Sequence, residues 1–382
     1  QLTCMTEDDP ERDAEAVATL CRQAGVAPPD DNTRHVAFTM AGGTLRWERH
    51  GEFSTYRFDA PLPASGALPA HPFGSAFPVP GRVISAVRLD VRRQEAASDS
   101  VAEAFDPASL CRSTVDGGKA EIITDFRQDG DGLTRMLILD KGLSPARIGA
   151  LSQRLIEIET YRTLALVGFP DAQALSAPTR ALEDDLAVLT ARMRSPSRDN
   201  EALLADITAL SARIEAQSSA HMFRFAASRA YYDIVEQRLA AINEGRITGI
   251  GSWGGFLRRR VAPAMRTIAA LEARQETLSR KLARAATLLR SWVEVELQRQ
   301  NGELLAAMNR RATQQLRLQQ TVEGLSVAAV SYYVVGLASY VFKLVEKETG
   351  LSSTLLTAVV VPFALLAVWF TVRRIRRAHA GA

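Results

Sequence analysis

The sequence lacks several of the short motifs by which enzyme families are identified. It contains no GxxxxGKS/T nucleotide-binding loop, no HExxH zinc-protease motif and no GxSxG nucleophile turn. Its five histidines are scattered along the chain, and no two of them lie at ligand spacing on one helix. We therefore expect no cofactor, and the sequence gives no sign of a catalytic centre. It does not tell which metal, if any, the protein binds.

Cysteine is also scarce. Cys4, Cys21 and Cys111 show no metal-site spacing, and their odd number does not suit a set of internal disulfides. Free thiols in a reducing compartment are the better interpretation of this pattern.

Charge is absent from two long runs near the C-terminal end. Residues 324–342 and 349–372 contain no charged side chain, and roughly 20 apolar residues suffice for a helix to cross a hydrocarbon core of about 30 Å. The pattern predicts a transmembrane hairpin over residues 323–372, with its tip at Lys343–Glu348 and a basic cytoplasmic tail over 373–382. The alternative is a pair of buried helices in a soluble core, but such helices are usually shorter.

The charges that flank these runs are unevenly distributed. At the tip, Lys343 and Lys347 are balanced by two glutamates, whereas arginines cluster at the outer ends of both runs: Arg310, Arg311, Arg317, Arg373, Arg374, Arg376 and Arg377. Because basic residues favour the cytoplasmic side of a membrane, we predict that both termini lie in the cytoplasm.

The beginning of the chain is acidic, whereas its last long helical segment is basic. Residues 1–143 contain 15 Lys and Arg against 22 Asp and Glu, and residues 253–320 contain 13 against 5. A basic segment beside a membrane attracts anionic headgroups by about 1 kcal/mol for each side chain. A solvated basic helix face is the alternative. Since no nucleic-acid reader motif accompanies the basic segment, we expect no nucleic-acid partner.

Residue periodicity predicts an α+β protein that begins with a cytoplasmic α/β head over residues 1–143. Apolar residues at three-four spacing predict a helix over 10–24. Strands are predicted at His35–Met40, Thr44–Phe58, Arg82–Val91, Lys119–Asp125 and Leu133–Leu139. Tight turns are predicted at Gly42-Gly43, Asp116–Gly118 and Asp129–Gly132. The last is expected to be a hairpin turn, since a calcium loop would need an acid where Met136 stands.

Residues 144–322 predict a stalk domain of long, coiled-coil-like helices. The pair Ser144-Pro145 is typical of a helix start, and Pro170 and Pro178 are expected to break the helical pattern. Further helices are predicted at about 180–193 and from beyond Pro196 to about residue 243. One more helix is predicted to run without interruption from Pro263 into the first apolar run.

That last helix carries a heptad seam of mostly apolar residues. The seam alternates steps of four and three: Ala264, Ile268, Leu271, Gln275, Leu278, Leu282, Ala285, Leu289 and Trp292. It can pack against earlier helices of the same chain, against identical chains, or both. We therefore expect the protein to form a homo-oligomer.

Two polar clusters are candidate sites in the soluble part. Alternation along the strand predicted at Thr44–Phe58 places Glu48, His50 and Glu52 on one face, as a candidate cation or proton site. The alternative is an exposed sheet face with cross-strand ion pairs. The second cluster is expected to form structural salt bridges between Glu157, Glu159, Tyr161 and Arg162 and two later arginines, Arg224 and Arg229.

A third candidate lies in the first apolar run. Tyr332, Gly336, Ser339, Tyr340 and Lys343 fall on one helix face at three-four spacing. Small and hydroxylated residues along one face favour helix–helix contact. A water-lined ion path is the alternative.

Several long segments, in order, give the chain a resemblance to one family. The segments are WERHGEFSTYRF (47–58), TDFRQDGDGLTRMLILD (124–140), IEIETYRTLALVGFP (156–170), FRFAASRAYYDIVEQRL (223–239) and QQTVEGLSVAAVSYYVVGL (319–337). They resemble the DUF3422 family of bacterial membrane-anchored proteins. The resemblance implies a multi-pass protein of the bacterial inner (plasma) membrane and brings no catalytic residues with it.

The predicted architecture is also similar to that of the CorA-type metal-ion transporters, which are homopentamers whose first membrane helix lines the pore. Their Gly-Met-Asn signature is missing, since this chain has Gly336-Leu-Ala-Ser-Tyr340 at the corresponding place. The resemblance implies an oligomeric ion channel or transporter. The alternatives are a membrane-tethered scaffold or regulator, whose head binds a ligand or a cytoplasmic protein, and a membrane-bound enzyme, for which only Glu48, His50 and Glu52 offer a start.

Overall fold

The structure is a computed structural model that describes residues 1–7, 9–63, 70–94, 105–195, 198–349 and 352–379. The chain divides into two compact units, Gln1–Thr287 and Leu288–Ala382, which we call unit 1 and unit 2. Unit 1 combines a sheet with long helices, which confirms the mixed α+β class.

In the described part of the chain, the sheet of unit 1 has nine strands in the order β2-β3-β4-β1-β5-β8-β7-β6-β9. The strands are β1 (Leu2–Met5), β2 (His35–Met40), β3 (Gly43–Arg49), β4 (Phe53–Asp59), β5 (Val83–Arg93), β6 (Cys111–Val115), β7 (Ala120–Gln128), β8 (Thr134–Asp140) and β9 (Gly245–Arg246). Among these pairings, β5–β8 is parallel and the others are antiparallel. The head is therefore built mainly on hairpins.

Local turn chemistry fixes two of these hairpins. Between β2 and β3, Ala41 and Gly42 both have positive φ angles, of 48° and 75°, as a tight two-residue turn requires. Between β7 and β8, the Asp129 carboxylate accepts hydrogen bonds from the backbone nitrogens of Asp131 and Leu133, each 3.0 Å long. Both turns were expected from the sequence.

The prediction of one strand over Thr44–Phe58 is wrong. The chain reverses at residues 50–52, and β3 and β4 pair with each other, with Trp47 opposite Tyr56. Leu45, Trp47 and Tyr56 are fully buried on one face of this hairpin. The short strands β1, β6 and β9 were not predicted, since two to five residues carry too little periodicity to reveal a strand.

Helices cover the sheet and extend beyond it. They are α1 (Pro10–Gln23), α2 (Pro145–Ala165), α3 (Phe169–Met193), α4 (Asn200–Ile242), α5 (Trp253–Arg260), α6 (Ala262–Thr349) and α7 (Ser353–His379). Helix α1 is capped at its N-terminus by Asp9, whose carboxylate accepts from the Arg12 nitrogen. It buries Val17, Leu20 and Cys21 in one cluster with the sheet.

The predicted break at Pro178 is wrong, because Pro178 lies inside α3. A proline there leaves the Ala174 carbonyl without its helical partner. The helix nevertheless continues, since one of its faces is buried, including Thr179 and Leu182, and Gln217 of α4 donates to the Thr179 hydroxyl at 2.7 Å. Pro170 stands in the first turn of α3, where proline is tolerated.

Helix α6 is one uninterrupted helix of 88 residues, as predicted from Pro263 onward. Its heptad seam is buried within unit 1 from Ala264 to Ala285. Ion pairs of Arg274 with Glu183 of α3, and of Glu272 with Arg229 of α4, flank the seam. This part of the seam therefore packs against earlier helices of the same chain. Self-association stays a prediction, and it needs other surfaces.

A single hydrophobic cluster joins sheet and helices in unit 1. It includes Ile122 and Ile138 of the sheet, Leu155 of α2, Phe225 of α4, Trp253 of α5 and Ile268 of α6. The boundary predicted at residue 143 falls inside this unit, because the apolar faces of the strands and of the long helices are buried against each other.

Unit 2 consists of α6 from Leu288 onward and α7. The prediction of a non-helical tip at Lys343–Glu348 is wrong, since α6 continues to Thr349 and α7 begins at Ser353. Within the described residues, two helices are long and apolar enough to cross a membrane, and their most apolar segments have mean hydropathies of 1.7 and 2.4.

Candidate functional site

The burial pattern of unit 2 indicates that its two helices pack through small residues. Ser331 of α6 and Ala364 of α7 are buried, at 3% and 7% exposure, although both lie in long apolar runs with little other burial. Half-buried positions continue the two stripes at three-four spacing, including Val327 and Val335 on α6 and Val368 and Val372 on α7. Small residues at such a contact let two helix backbones approach closely.

The outward surface of the helix pair is strongly apolar. Large exposed side chains on it include Leu325, Leu337, Val341, Leu355, Val359, Phe363, Leu366 and Phe370. Exposure of a continuous apolar surface of this kind to water is unfavourable. A hydrocarbon layer or other apolar helices would cover it without such a cost.

The predicted face of the first apolar run is divided between two environments. Gly336 and Ser339 are half-buried, and the Ser339 hydroxyl donates to the Gly336 carbonyl at 2.7 Å. Tyr332 and Tyr340 are exposed, at 78% and 69%, and the Lys343 amine lies 5.9 Å from the Tyr340 ring centroid. The face does not act as one contact within the chain, and its role toward an ion or another chain stays a prediction.

A groove of about 640 Å³ lies between α6 and α7, where both apolar runs meet their charged flanks. Its lining is mixed: Gln320, Glu323, Gly324, Val327, Trp369, Val372 and Arg373. The Arg373 guanidinium carbon lies 4.8 Å from the Trp369 ring centroid, in a cation–π contact. Sequence reasoning missed this groove, because its two sides are almost 50 residues apart along the chain.

The three predicted site residues of the head do not share one strand face. Glu48 is exposed on β3, whereas His50 and Glu52 belong to the turn before β4. Burial lowers the pKa of His50, with partial compensation by the Glu48 charge, and the ring stacks on Phe53 at 4.3 Å. A cation or proton role for this trio stays a prediction.

Glu52 instead joins the head to α4. Its carboxylate is buried and accepts hydrogen bonds from Arg224 and from the Tyr231 hydroxyl, the latter at 2.9 Å. Arg224 also pairs with Glu7. Burial, followed by the bond to Glu52, raises the pKa of Tyr231, so this phenol stays protonated and donates.

The second predicted cluster forms salt bridges with other partners than expected. Glu157 pairs with Arg238, and Glu159 pairs with Arg162. The prediction that Arg224 and Arg229 would be the partners is wrong, because Arg224 is bound to the head and Arg229 pairs with Glu272 of α6.

One buried carboxylate has no counterpart among the predicted sites. Asp13 of α1 is fully buried and accepts hydrogen bonds from the Ser54 and Tyr56 hydroxyls, at 2.7 and 2.6 Å, and from the Trp47 indole at 3.4 Å. Arg49 completes the network at 3.5 Å. The carboxylate is thus fully satisfied, which indicates a structural role in fixing α1 to the sheet.

A cavity of about 360 Å³ in unit 1 is a gap in the sheet. It lies where β4 and β5 continue past Leu2 of β1, along Arg57–Asp59 and Val87–Val91, and no strand of the described part of the chain lies between them there. Its arginines, Arg57 and Arg88, are already paired with aspartates. Because both arginines are already neutralised, the described residues around the cavity offer no free cation to an anionic ligand.

Residues Gly249–Gly254 match the spacing of the dinucleotide-binding motif Gly-x-Gly-x-x-Gly, but their setting differs from it. The preceding strand β9 is two residues long and antiparallel to β6. The Glu244 carboxylate accepts from the Gly254 nitrogen at 3.0 Å, at the helix end where the motif would place a phosphate. This segment therefore provides no nucleotide site.

Among the residues that the structure describes, no group of three or more His, Cys, Asp or Glu side chains is placed to hold a metal ion. The three cysteines are buried and free.

Comparison with known proteins gives one result for the whole chain. No curated protein and no solved structure matches it significantly. A family model described as "Protein of unknown function (DUF3422)" matches residues 1–379. The match covers both units, and the chain therefore belongs to the DUF3422 family.

Proposed function

We propose that this protein is anchored in the bacterial inner membrane by α6 and α7 and holds unit 1 at the cytoplasmic surface as a scaffold or regulatory module. The observation that carries the proposal is the apolar outward surface of the helix pair, flanked by arginines at one end. A bilayer covers such a surface at no desolvation cost, and the arginine flanks favour a cytoplasmic location for both termini. Unit 1 offers a large folded surface for a cytoplasmic protein or ligand.

The anchor is tested by washing membranes from expressing cells with alkaline carbonate. The full chain is expected to remain in the membrane pellet, whereas a matched fragment of residues 1–294, which lacks both apolar runs, is expected in the supernatant. Release of the full chain would contradict the anchor. A reporter fused after Ala382 should be active on the cytoplasmic side only, and a periplasmic signal would overturn the orientation.

The scaffold role predicts that the anchor can be exchanged. A chimera in which residues 323–372 are replaced by an unrelated two-helix hairpin of the same orientation should retain the function of the protein in cells. Loss of function in a chimera that is still inserted and folded would favour a specific role for the native helices.

An oligomeric, CorA-like channel is the second candidate, and the exposed tyrosines of α6 favour it. Tyr332 and Tyr333 lie well inside the first apolar run and are 78% and 70% exposed. A phenolic hydroxyl in hydrocarbon lacks hydrogen-bond partners, so contact with a second chain or with a water-filled path would stabilise these side chains.

Native mass spectrometry of the chain released from nanodiscs separates the two candidates. A closed ring, especially a pentamer, would support the channel, and substitution of both tyrosines by leucine should then change the mass distribution or the ion flux. A monomer could not line a central pore with this helix pair, and this outcome would leave the scaffold role.

A further inference from the structure

The groove between α6 and α7 contains two opposite charges that do not neutralise each other. Glu323 is the last charged residue before the first apolar run, and Arg373 is the first one after the second run. Both line the groove, and Glu323 is half-buried. In the part of the chain that the structure describes, neither side chain has an ion-pair partner, while Arg373 stacks on Trp369.

Among the described residues, the two charges at the edge of this apolar helix pair lack a partner that would neutralise them. A partly buried carboxylate without a cation is destabilising, and a direct pair between helices would relieve that cost. An open volume of about 640 Å³ lies between the two sides of the groove. A molecule that carries one positive and one negative group could satisfy both side chains at once.

We infer that the groove binds the headgroup of a zwitterionic phospholipid with a primary ammonium group, its phosphate on Arg373 and its ammonium on Glu323. This inference rests on the proposed membrane anchor. A guanidinium presents a planar fork that matches phosphate oxygens, and a tryptophan ring is favoured at the headgroup level. The acyl chains would leave the groove along Val327 and Val372 toward the apolar outward surface.

The chemistry of the two ends distinguishes between lipid classes. Phosphatidylethanolamine supplies a phosphate and an ammonium group with three N–H donors. Phosphatidylglycerol has the phosphate but no cation for Glu323, and its net negative charge is repelled by that carboxylate. Phosphatidylcholine has the cation, but its methylated nitrogen donates no hydrogen bond to Glu323.

The experiment uses the full chain in nanodiscs that contain equal parts of these three lipids, with native mass spectrometry to identify the lipids that stay bound after release. The wild-type chain is expected to retain phosphatidylethanolamine over the other two by on the order of tenfold, the size of one charge-assisted hydrogen bond. Glu323→Gln should abolish the preference over phosphatidylglycerol. Arg373→Gln should reduce the retention of phosphatidylethanolamine by on the order of tenfold.

Two matched controls accompany these variants. Arg374→Gln removes the neighbouring arginine, which does not line the groove, and Glu303→Gln removes another glutamate of α6. Both should retain lipids as the wild type does. Equal retention of all three lipids by the wild type, or the same loss in Arg374→Gln as in Arg373→Gln, would overturn the inference. If the chain survives the carbonate wash and still shows no preference, only this inference fails; if it is washed off, the anchor itself fails.

Discussion

At the scale of single residues, Glu48 and Glu52 show how environment separates two side chains of the same type. Glu48 is exposed, and it has no hydrogen-bond or ion-pair partner within the described part of the chain. Glu52 is 8% exposed and accepts from both Arg224 and Tyr231. A buried charge-assisted contact contributes more to stability than an exposed charge.

Glu52→Gln is therefore expected to lower the free energy of unfolding by about 2 kcal/mol, because a neutral amide leaves the half-buried Arg224 with Glu7 as its only carboxylate partner among the described residues. The matched variant Glu48→Gln should change it by less than about 0.5 kcal/mol. Denaturant unfolding of unit 1, followed by circular dichroism, measures both. Equal effects would contradict the assignment of Glu52 as the contact between head and α4.

The cysteines provide a second test at this scale. All three are buried, and burial raises the pKa of Cys111 to about 11 and that of Cys4, with help from Asp13, to about 12. The thiolate is the reactive form, so at pH 8 these thiols should react slowly with Ellman's reagent. Three thiols per chain should appear after denaturation, and rapid labelling of the folded protein would contradict the buried positions.

Much of the residue-level pattern could be predicted, and the failures have definable causes. Turns were predicted correctly where they depend on local chemistry, as at Asp129–Gly132. The partners of Arg224 and Arg229 could not be predicted, because they depend on which helix faces which, and not on spacing along the chain. Glu52 was selected as a polar residue on a strand, but its role arises from a turn that the sequence pattern does not reveal.

At the scale of elements, the heptad seam of α6 was predicted correctly in position but left open in partner. The same spacing serves contact within a chain and between chains, so periodicity alone cannot decide. Because Ile268, Leu271 and Leu278 are buried within one chain, this part of the seam packs against helices of the same chain. In helix α3, the sequence pattern was overruled by packing. Proline disfavours a continuous helix, but tertiary packing maintains the helix at Pro178.

Leu278→Ala is expected to destabilise unit 1 by about 3 kcal/mol, since the side chain is 2% exposed and its removal leaves a cavity. Leu297→Ala on the same helix, where the side chain is 55% exposed, should have an effect below about 0.5 kcal/mol. Thermal unfolding compares the two. If Leu278→Ala dissociated an oligomer without destabilising the chain, packing within the chain would be the wrong explanation.

At the scale of the whole molecule, the sequence predicted its mixed class and its two apolar runs, and the domain boundary at residue 143 stays a prediction. Composition changes at residue 144, where strands give way to helices, and this change suggested a domain boundary. The hydrophobic cluster crosses it, because the helices after residue 144 bury the face of the sheet that lies before it.

A fragment of residues 1–294 is accordingly expected to fold as a soluble monomer, whereas a fragment of residues 1–143 should aggregate, because its sheet loses Leu155, Phe225 and Trp253 from the shared core. Gel filtration and heteronuclear NMR spectra of the two fragments provide the measurement. A well-folded 1–143 fragment would show that the head is an independent domain.

The position of β9 and Trp253 also bears on how the protein is made. The sheet is completed at β6 by residues 245–246, and its core is closed by Trp253 and Ile268. During synthesis, the first strands leave the ribosome long before these residues do, and they expose apolar surface until α5 and the start of α6 follow. Unit 1 can therefore finish folding only shortly before the first apolar run emerges. Chaperones that shield nascent chains should therefore matter more for this protein than for one whose head folds by itself.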